Sequence, residues 1–201
     1  MLTYETVIVS SWVVFIGVWI VLSFGVKHDI KRSGFSSWWS QNYLLRLIVL
    51  ALGVFVATRI LTGTANSTKA DAVIFGNTLF TPPITLGWIA AVLSVAGVGF
   101  AIWARIYLGR NWSSAPAVKE NHELVTTGPY AYVRHPIYTG LILTALGTAL
   151  TGTIFGIGVL VVAAGVFFRR IGKEERIMLE LFPDTYPAYQ ARTKTLIPWI
   201  W

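Results

Sequence analysis

Cysteine is absent from all 201 residues, which excludes disulfides and any thiolate metal site and leaves the redox compartment unread. Charge is scarce too. Asp, Glu, Lys and Arg make up 12% of the chain, against about 25% in ordinary soluble domains. Hydrophobic residues make up 55% and fall in long blocks, which argues for an integral membrane protein over a soluble domain with a large core. Acidic residues number nine against sixteen Lys and Arg, for a net charge of +7. No basic stripe with interleaved aromatics accompanies that excess, so no nucleic-acid partner is expected. The N-terminus carries Glu5 and no basic n-region, so the first apolar block reads as a retained span and not a cleaved signal.

Five apolar blocks predict about five transmembrane helices in an all-α membrane protein. They are Val7 to Val26, Leu44 to Leu61, Ile84 to Ala104, Ile137 to Leu150 and Ile154 to Ile171. A block of about 20 residues crosses roughly 30 Å of hydrocarbon as a helix. The fourth is shorter, so with the fifth it predicts a hairpin turning at Thr151-Gly152-Thr153. Gly140, Gly147, Gly156, Gly158 and Gly165 are expected to bring these two helices close together. Tags of interfacial chemistry flank the spans, in Ser36-Ser37-Trp38-Trp39 and in Trp199-Ile200-Trp201.

Basic residues set an orientation. Segments 27–46, 105–134 and 169–194 hold fourteen of the sixteen Lys and Arg, leaving Arg59 and Lys69. Alternation over five spans puts the N-terminus outside and residues 105–134 and the C-terminus in the cytoplasm, as expected of a cell (inner) membrane protein. Two units are expected: residues 1–104 with three helices, and 105–201 as the functional core.

That core holds two polar constellations. The first runs from His122 to Gly140, with two of the three histidines, His122 and His135. Gly128-Pro129 signals a turn, and His135-Pro136 signals a helix start, since proline is tolerated in a first turn. The second runs from Arg169 to Phe182, an amphipathic continuation of the fifth span in which Arg170 and Glu174 lie one turn apart. Tyr186, Pro187 and Tyr189 are expected to break the helix. The hairpin brings both constellations to one membrane face, where a paired carboxylate and guanidinium, histidines and tyrosines suffice to hold a charged small molecule. No metal-ligand spacing occurs, and no metal is expected.

His-Glu-Leu-Val, Gly-Pro-Tyr and Arg-His-Pro-Ile-Tyr-Thr-Gly, followed after the hairpin by Glu-Glu-x-x-Leu and Tyr-x-x-Tyr, resemble the isoprenylcysteine carboxyl methyltransferases, relatives of the phospholipid N-methyltransferases. The resemblance covers about residues 105–198. It implies an integral membrane enzyme that uses S-adenosylmethionine, and yields S-adenosylhomocysteine, without a Rossmann domain. By matching position it puts His122, Glu123, Leu124, Val125, Tyr130, His135, Pro136, Ile137, Tyr138 and Glu174 at the cofactor. Arg170 would face the methyl acceptor, and Arg170 and Glu174 together would be catalytic. The implied partners are membrane lipids and a lipophilic or lipid-anchored acceptor, most simply a carboxylate. A polar cofactor contact of eukaryotic members falls near Ala115 here and is not carried over.

Some charges have plainer readings. Tyr132 reads as an interfacial belt residue, and Glu175 as part of a solvated helix start. Arg105, Arg110, Arg169, Lys173 and Arg176 read as positive charges at a lipid headgroup surface. Other functional classes carry the same features: a phospholipid, amine or thiol methyltransferase, a non-catalytic lipid-binding or assembly subunit, and a sterol-type membrane reductase.

Overall fold

The computed structural model describes residues 3–23, 29–31, 78–109, 112, 118–119, 123–198 and 200. The second expected span, Arg110, His28 and His122 lie outside these residues. Helix α1 is Tyr4–Ser23 and α2 is Ile84–Leu108. A short 3-10 turn, Gly128–Ala131, leads to α3, Pro136–Ala149. Then come α4, Ile154–Leu181, and a short α5, Tyr186–Arg192. Helices α1, α2 and α4 are each long and apolar enough to cross a membrane, and α3 is a shorter apolar helix. This is an integral membrane architecture. It also contains one small antiparallel pair, β1 (Asp29–Lys31) with β2 (Val118–Lys119), which the all-helical expectation omits.

Short contacts order the two ends of the bundle. The Arg105 guanidinium near the end of α2 donates to the carbonyl of Leu22 near the end of α1, at 2.6 Å, so the two helices run parallel. At the opposite end the Leu79 amide donates to the Gly152 carbonyl, at 2.8 Å, placing the approach to α2 against the α3–α4 turn. That turn needs Gly152, whose φ of 78° is the left-handed region, and an added Cβ would collide with the Phe80 carbonyl. Thr153 caps α4 by accepting from the Gly156 amide at 3.0 Å.

Length then places the polar residues. Fourteen residues make α3 about 21 Å long, whereas the 28 of α4 reach about 42 Å, beyond the roughly 30 Å of hydrocarbon. The last turns of α4, with Arg170, Glu174 and Glu175, therefore rise alongside the start of α3. Helix α4 stops at Phe182 because Pro183 follows. Tyr186, Pro187 and Tyr189 do not break it. They form α5, with Pro187 in the first turn where its missing N–H costs nothing.

The glycine expectation is corrected in part. Gly140 and Gly147 serve the contact of α3 with α2. An added Cβ on Gly140 would come within 2.5 Å of the Gly97 carbonyl, one on Gly97 within 2.5 Å of the Gly140 carbonyl, and one on Gly147 within 2.5 Å of the Ala90 carbonyl. The facing stripe on α2 is Ala90, Ser94, Gly97, Ala101 and Ala104, all buried. Small residues let two backbones approach where no hydrophobic gain drives the helices together. Reciprocal hydrogen bonds of 3.4 Å, Ser94 to the Thr144 carbonyl and Thr144 to the Ser94 carbonyl, close the seam. Gly156 does bring α4 against α3, since an added Cβ would come within 2.5 Å of the Thr148 carbonyl; the rest of that packing uses Ala145, Val159, Ala163 and Phe167, while Gly158 and Gly165 face open space.

Gly140→Val should therefore cost more than the roughly 1–3 kcal/mol typical of overpacking, because backbone and not a flexible side chain blocks the new atoms. Gly158→Ala and Gly165→Ala should be neutral or stabilise by up to about 1 kcal/mol. Thermal unfolding in detergent, followed by circular dichroism, checks both. Equal destabilisation by all three would contradict this packing.

Candidate functional site

Two adjacent basic residues, Arg134 and His135, precede α3 and two adjacent carboxylates lie on α4, and the hairpin sets them face to face. Glu174 receives three groups. Arg170 Nε donates to its Oε1 at 2.8 Å, the Tyr138 hydroxyl donates to the same oxygen at 2.7 Å, and His135 Nδ1 lies 3.6 Å from Oε2. Glu175 takes Arg134 Nε on Oε1 at 2.7 Å, His135 Nε2 on that oxygen at 3.4 Å, and Gln190 Nε2 on Oε2 at 3.0 Å. The His135 ring stacks on Tyr138, with centroids 5.5 Å apart, and Tyr138 on Phe167 at 4.6 Å. His135 thus sits between two carboxylates on a ladder of rings. Burial alone would lower its pKa, but hydrogen bonds and charge from Glu174 and Glu175 outweigh that and raise it.

Arg134 ties this cluster to the C-terminal segment. Its guanidinium also donates to the carbonyls of Gln190 and Thr193, and to Thr195 Oγ1 at 2.9 Å. Backbone bonds run alongside, from the Arg134 amide to Lys194 at 2.8 Å and from the His135 amide to Thr195 at 3.1 Å. The Tyr189 hydroxyl donates to the Tyr130 carbonyl at 2.7 Å. Residues 189–196 thereby buttress the loop from which α3 starts.

Of the expected site residues, His135, Tyr138, Arg170 and Glu174 come together. Pro136 and Ile137 are buried in the first turn of α3. Tyr130 is buried with Ala104 and Ile137, and Val125 packs on that cluster. Glu123 is exposed and Leu124 half-buried, while His122 lies outside the described residues. Tyr132 is 55% exposed, as a belt residue should be, and Arg169, Lys173 and Arg176 are exposed.

Two plain readings are corrected. Glu175 is not a solvated helix start; its side chain is 17% exposed and joins the cluster through Arg134 and His135. A carboxylate one residue on from Glu174 turns only about 100° around the helix, so both can face one loop, and the pair Arg134-His135 was the available signal. Arg105 is not at a headgroup surface. It is 2% exposed, donates to the carbonyls of Leu22 and Gly109, and lies 4.4 Å from the Trp112 ring centroid. Its guanidinium caps the carbonyl ends of α1 and α2, which would otherwise be unsatisfied.

Sequence comparison agrees with this geometry. Residues 89–180 match the family model of the isoprenylcysteine carboxyl methyltransferase (ICMT) family. The match covers a little under half of the chain. It spans α2, the polar loop, the hairpin and both glutamates. The protein-S-isoprenylcysteine O-methyltransferase of Schizosaccharomyces pombe is 34% identical over 135 residues, which cover 62% of this chain and 57% of that protein. The cobalt-zinc-cadmium resistance protein CzcN of Cupriavidus metallidurans is 29% identical over 117 residues, covering 57% and 49%. The chain spans about half the length of these curated relatives. Among solved structures, the eukaryotic intramembrane Ras methyltransferase ICMT aligns with a TM-score of 0.52 over 80% of this chain and 68% of that one, at 21% identity. That likeness establishes the fold.

Arg134→Met should cost about 3–5 kcal/mol, since it leaves a partly buried carboxylate short of its cation, and it also strips three acceptors of their donor. Limited proteolysis of the variant in detergent should cut first within residues 189–196. Wild-type protection of that segment in the variant would contradict the buttress.

Proposed function

We propose that this chain is an S-adenosylmethionine-dependent membrane methyltransferase acting on the carboxylate of a lipophilic or lipid-anchored acceptor. The observation that carries this reading is the convergence of Arg170, Glu174, Tyr138 and His135 at one end of the α3–α4 hairpin, within the segment matching the ICMT family. The donor set fits such a cofactor. Carboxylate oxygens suit an ammonium or sulfonium, stacked rings suit an adenine or a cation, and an arginine suits a carboxylate. Glu174 and Arg170 keep 22% and 14% of their side-chain surface exposed, so both are reachable. The name of the Schizosaccharomyces pombe relative points the same way.

When bound, S-adenosylmethionine supplies a methyl group already activated on a sulfonium. A carboxylate acceptor would present an oxygen lone pair with no proton to remove. The chain needs no base for this acceptor. Its residues bind, orient and exclude water, and alignment of that kind is worth about 7–11 kcal/mol. Glu174 holds the cationic part of the cofactor, with Tyr138 and His135 fixing the carboxylate's rotamer. Arg170, one turn earlier, orients the acceptor carboxylate by its planar fork. Residues Glu123, Leu124, Val125 and Tyr130 form the remaining wall in this reading, with Pro136 and Ile137 as its floor, and His122 is assigned to the cofactor by its motif position alone.

The basic-residue distribution supports a cytoplasmic site in the cell (inner) membrane, with the N-terminus outside. Parallel α1 and α2 bring the ends of both helices, each followed by a basic segment in the sequence, to one face, which supports that orientation. Residues 1–104 would then shape the path of the acceptor, and 105–201 the methyltransferase core.

Glu174→Gln should weaken S-adenosylhomocysteine binding about 10- to 100-fold, the equivalent of a hydrogen bond to a charged group. Arg170→Lys should leave that affinity within about threefold while slowing single-turnover methyl transfer, because lysine lacks the two-point fork. Calorimetry and single-turnover assays in detergent measure both. Equal loss of cofactor affinity in the two variants would reduce the Arg170–Glu174 contact to a mutual ion pair and remove the division of roles.

A further inference from the structure

Glu175 sits one residue beyond the carboxylate assigned to the cofactor, and it touches His135 from the other side. The imidazole has Nε2 at 3.4 Å from Glu175 Oε1 and Nδ1 at 3.6 Å from Glu174 Oε2. A neutral ring carries a lone pair on one nitrogen, and here that lone pair would face a carboxylate oxygen whichever tautomer formed. Only the doubly protonated ring offers an N–H to both. We propose that Glu175 is a positioning residue, which holds His135 as an imidazolium bridging the two carboxylates and so fixes Glu174 for the cofactor.

This inference rests on the cofactor reading for Glu174, but the contact with His135 does not. The groups facing the ring are Glu174 and Glu175 from α4, Tyr138 from α3 and Arg134 from its own loop. The C-terminal segment meets it through the Thr195 backbone, and the Lys194 side chain is exposed. Arg134 competes for Glu175 Oε1, so removing the Glu175 charge withdraws the nearer counter-ion from His135 while Arg134 keeps Gln190, Thr193 and Thr195 as acceptors. Glu175→Gln should therefore fold. The raised His135 pKa agrees in sign: the imidazolium and its contribution are fully present below about 6.5, the ordinary value, and are lost as pH rises through the raised one.

The test is Glu175→Gln with two readouts, and Glu175→Asp, which keeps the charge, as the second variant. Histidine-labelled protein without ligand, with the signal assigned through His135→Gln, gives the His135 titration by NMR. Glu175→Gln should bring its midpoint down by one unit or more and Glu175→Asp by less. S-adenosylhomocysteine affinity by calorimetry should fall about twofold at pH 6 and about tenfold at pH 8.5 in Glu175→Gln, one pKa unit being a tenfold change in ionisation. Combining it with His135→Gln should add no further loss at pH 8.5. An unmoved His135 midpoint, or the same affinity loss at both pH values, would overturn the proposal. A shifted midpoint in a protein that binds no S-adenosylhomocysteine in any form would instead sink the cofactor reading.

Discussion

Charge brought out of bulk water at the end of a hairpin must find opposite charge, and in this protein it does so across α3 and α4. Arg134 and His135 meet Glu174 and Glu175, with Arg170 closing the row from one turn below. A partly buried ion pair gains little net stability, but losing one partner leaves a stranded charge, and that penalty makes the arrangement specific. Register between the two helices follows. Glu174 and Glu175 can reach their partners only if α4 overshoots α3 by several turns, and the turn at Gly152 fixes where that overshoot begins.

The rest of the fold holds this row in place. The backbone-to-backbone seam of α2 and α3, through Gly97, Gly140 and Gly147, sets the height at which α3 starts. From below, Arg105 locks the ends of α1 and α2 under the Tyr130 cluster. From the side, residues 189–196 are tied to the α3 entry loop by Arg134 and Tyr189. A site between a rigid seam and a tethered tail is held by packing on three sides, as the proposed methyl transfer needs when its chemistry lies in alignment and not in bond-breaking by the protein.

Much of this was legible in the residues. Apolar blocks gave α1 and α2 within a few positions and the start of α4, whose amphipathic continuation gave its end; His135-Pro136 marked the start of α3, and the spacing of Arg170 and Glu174 gave their ion pair. What remained hidden was long-range partnership. Nothing local distinguishes Glu175 from a solvated glutamate, because its partners Arg134 and Gln190 are 41 and 15 residues away. Nor does local pattern say that Arg105 turns inward to the Leu22 carbonyl, 83 residues back. Glycines were read as a property of the hairpin, yet only the facing small residues of α2 reveal which helix Gly140 and Gly147 serve. Locally the proline at 187 signals a stop, whereas in the fold it lies in the first turn of a short helix.

The central claim is that the row of charges at the α3–α4 end receives an S-adenosyl cofactor. Calorimetric titration of the purified full chain in detergent with S-adenosylhomocysteine, alongside NADPH as the ligand of the competing reductase reading, tests it most directly. Saturable binding of S-adenosylhomocysteine at one per chain, lost in His135→Ala and Tyr138→Ala, with none for NADPH, is the predicted result. Binding of NADPH and not of S-adenosylhomocysteine, or S-adenosylhomocysteine affinity unchanged by both substitutions, would contradict it.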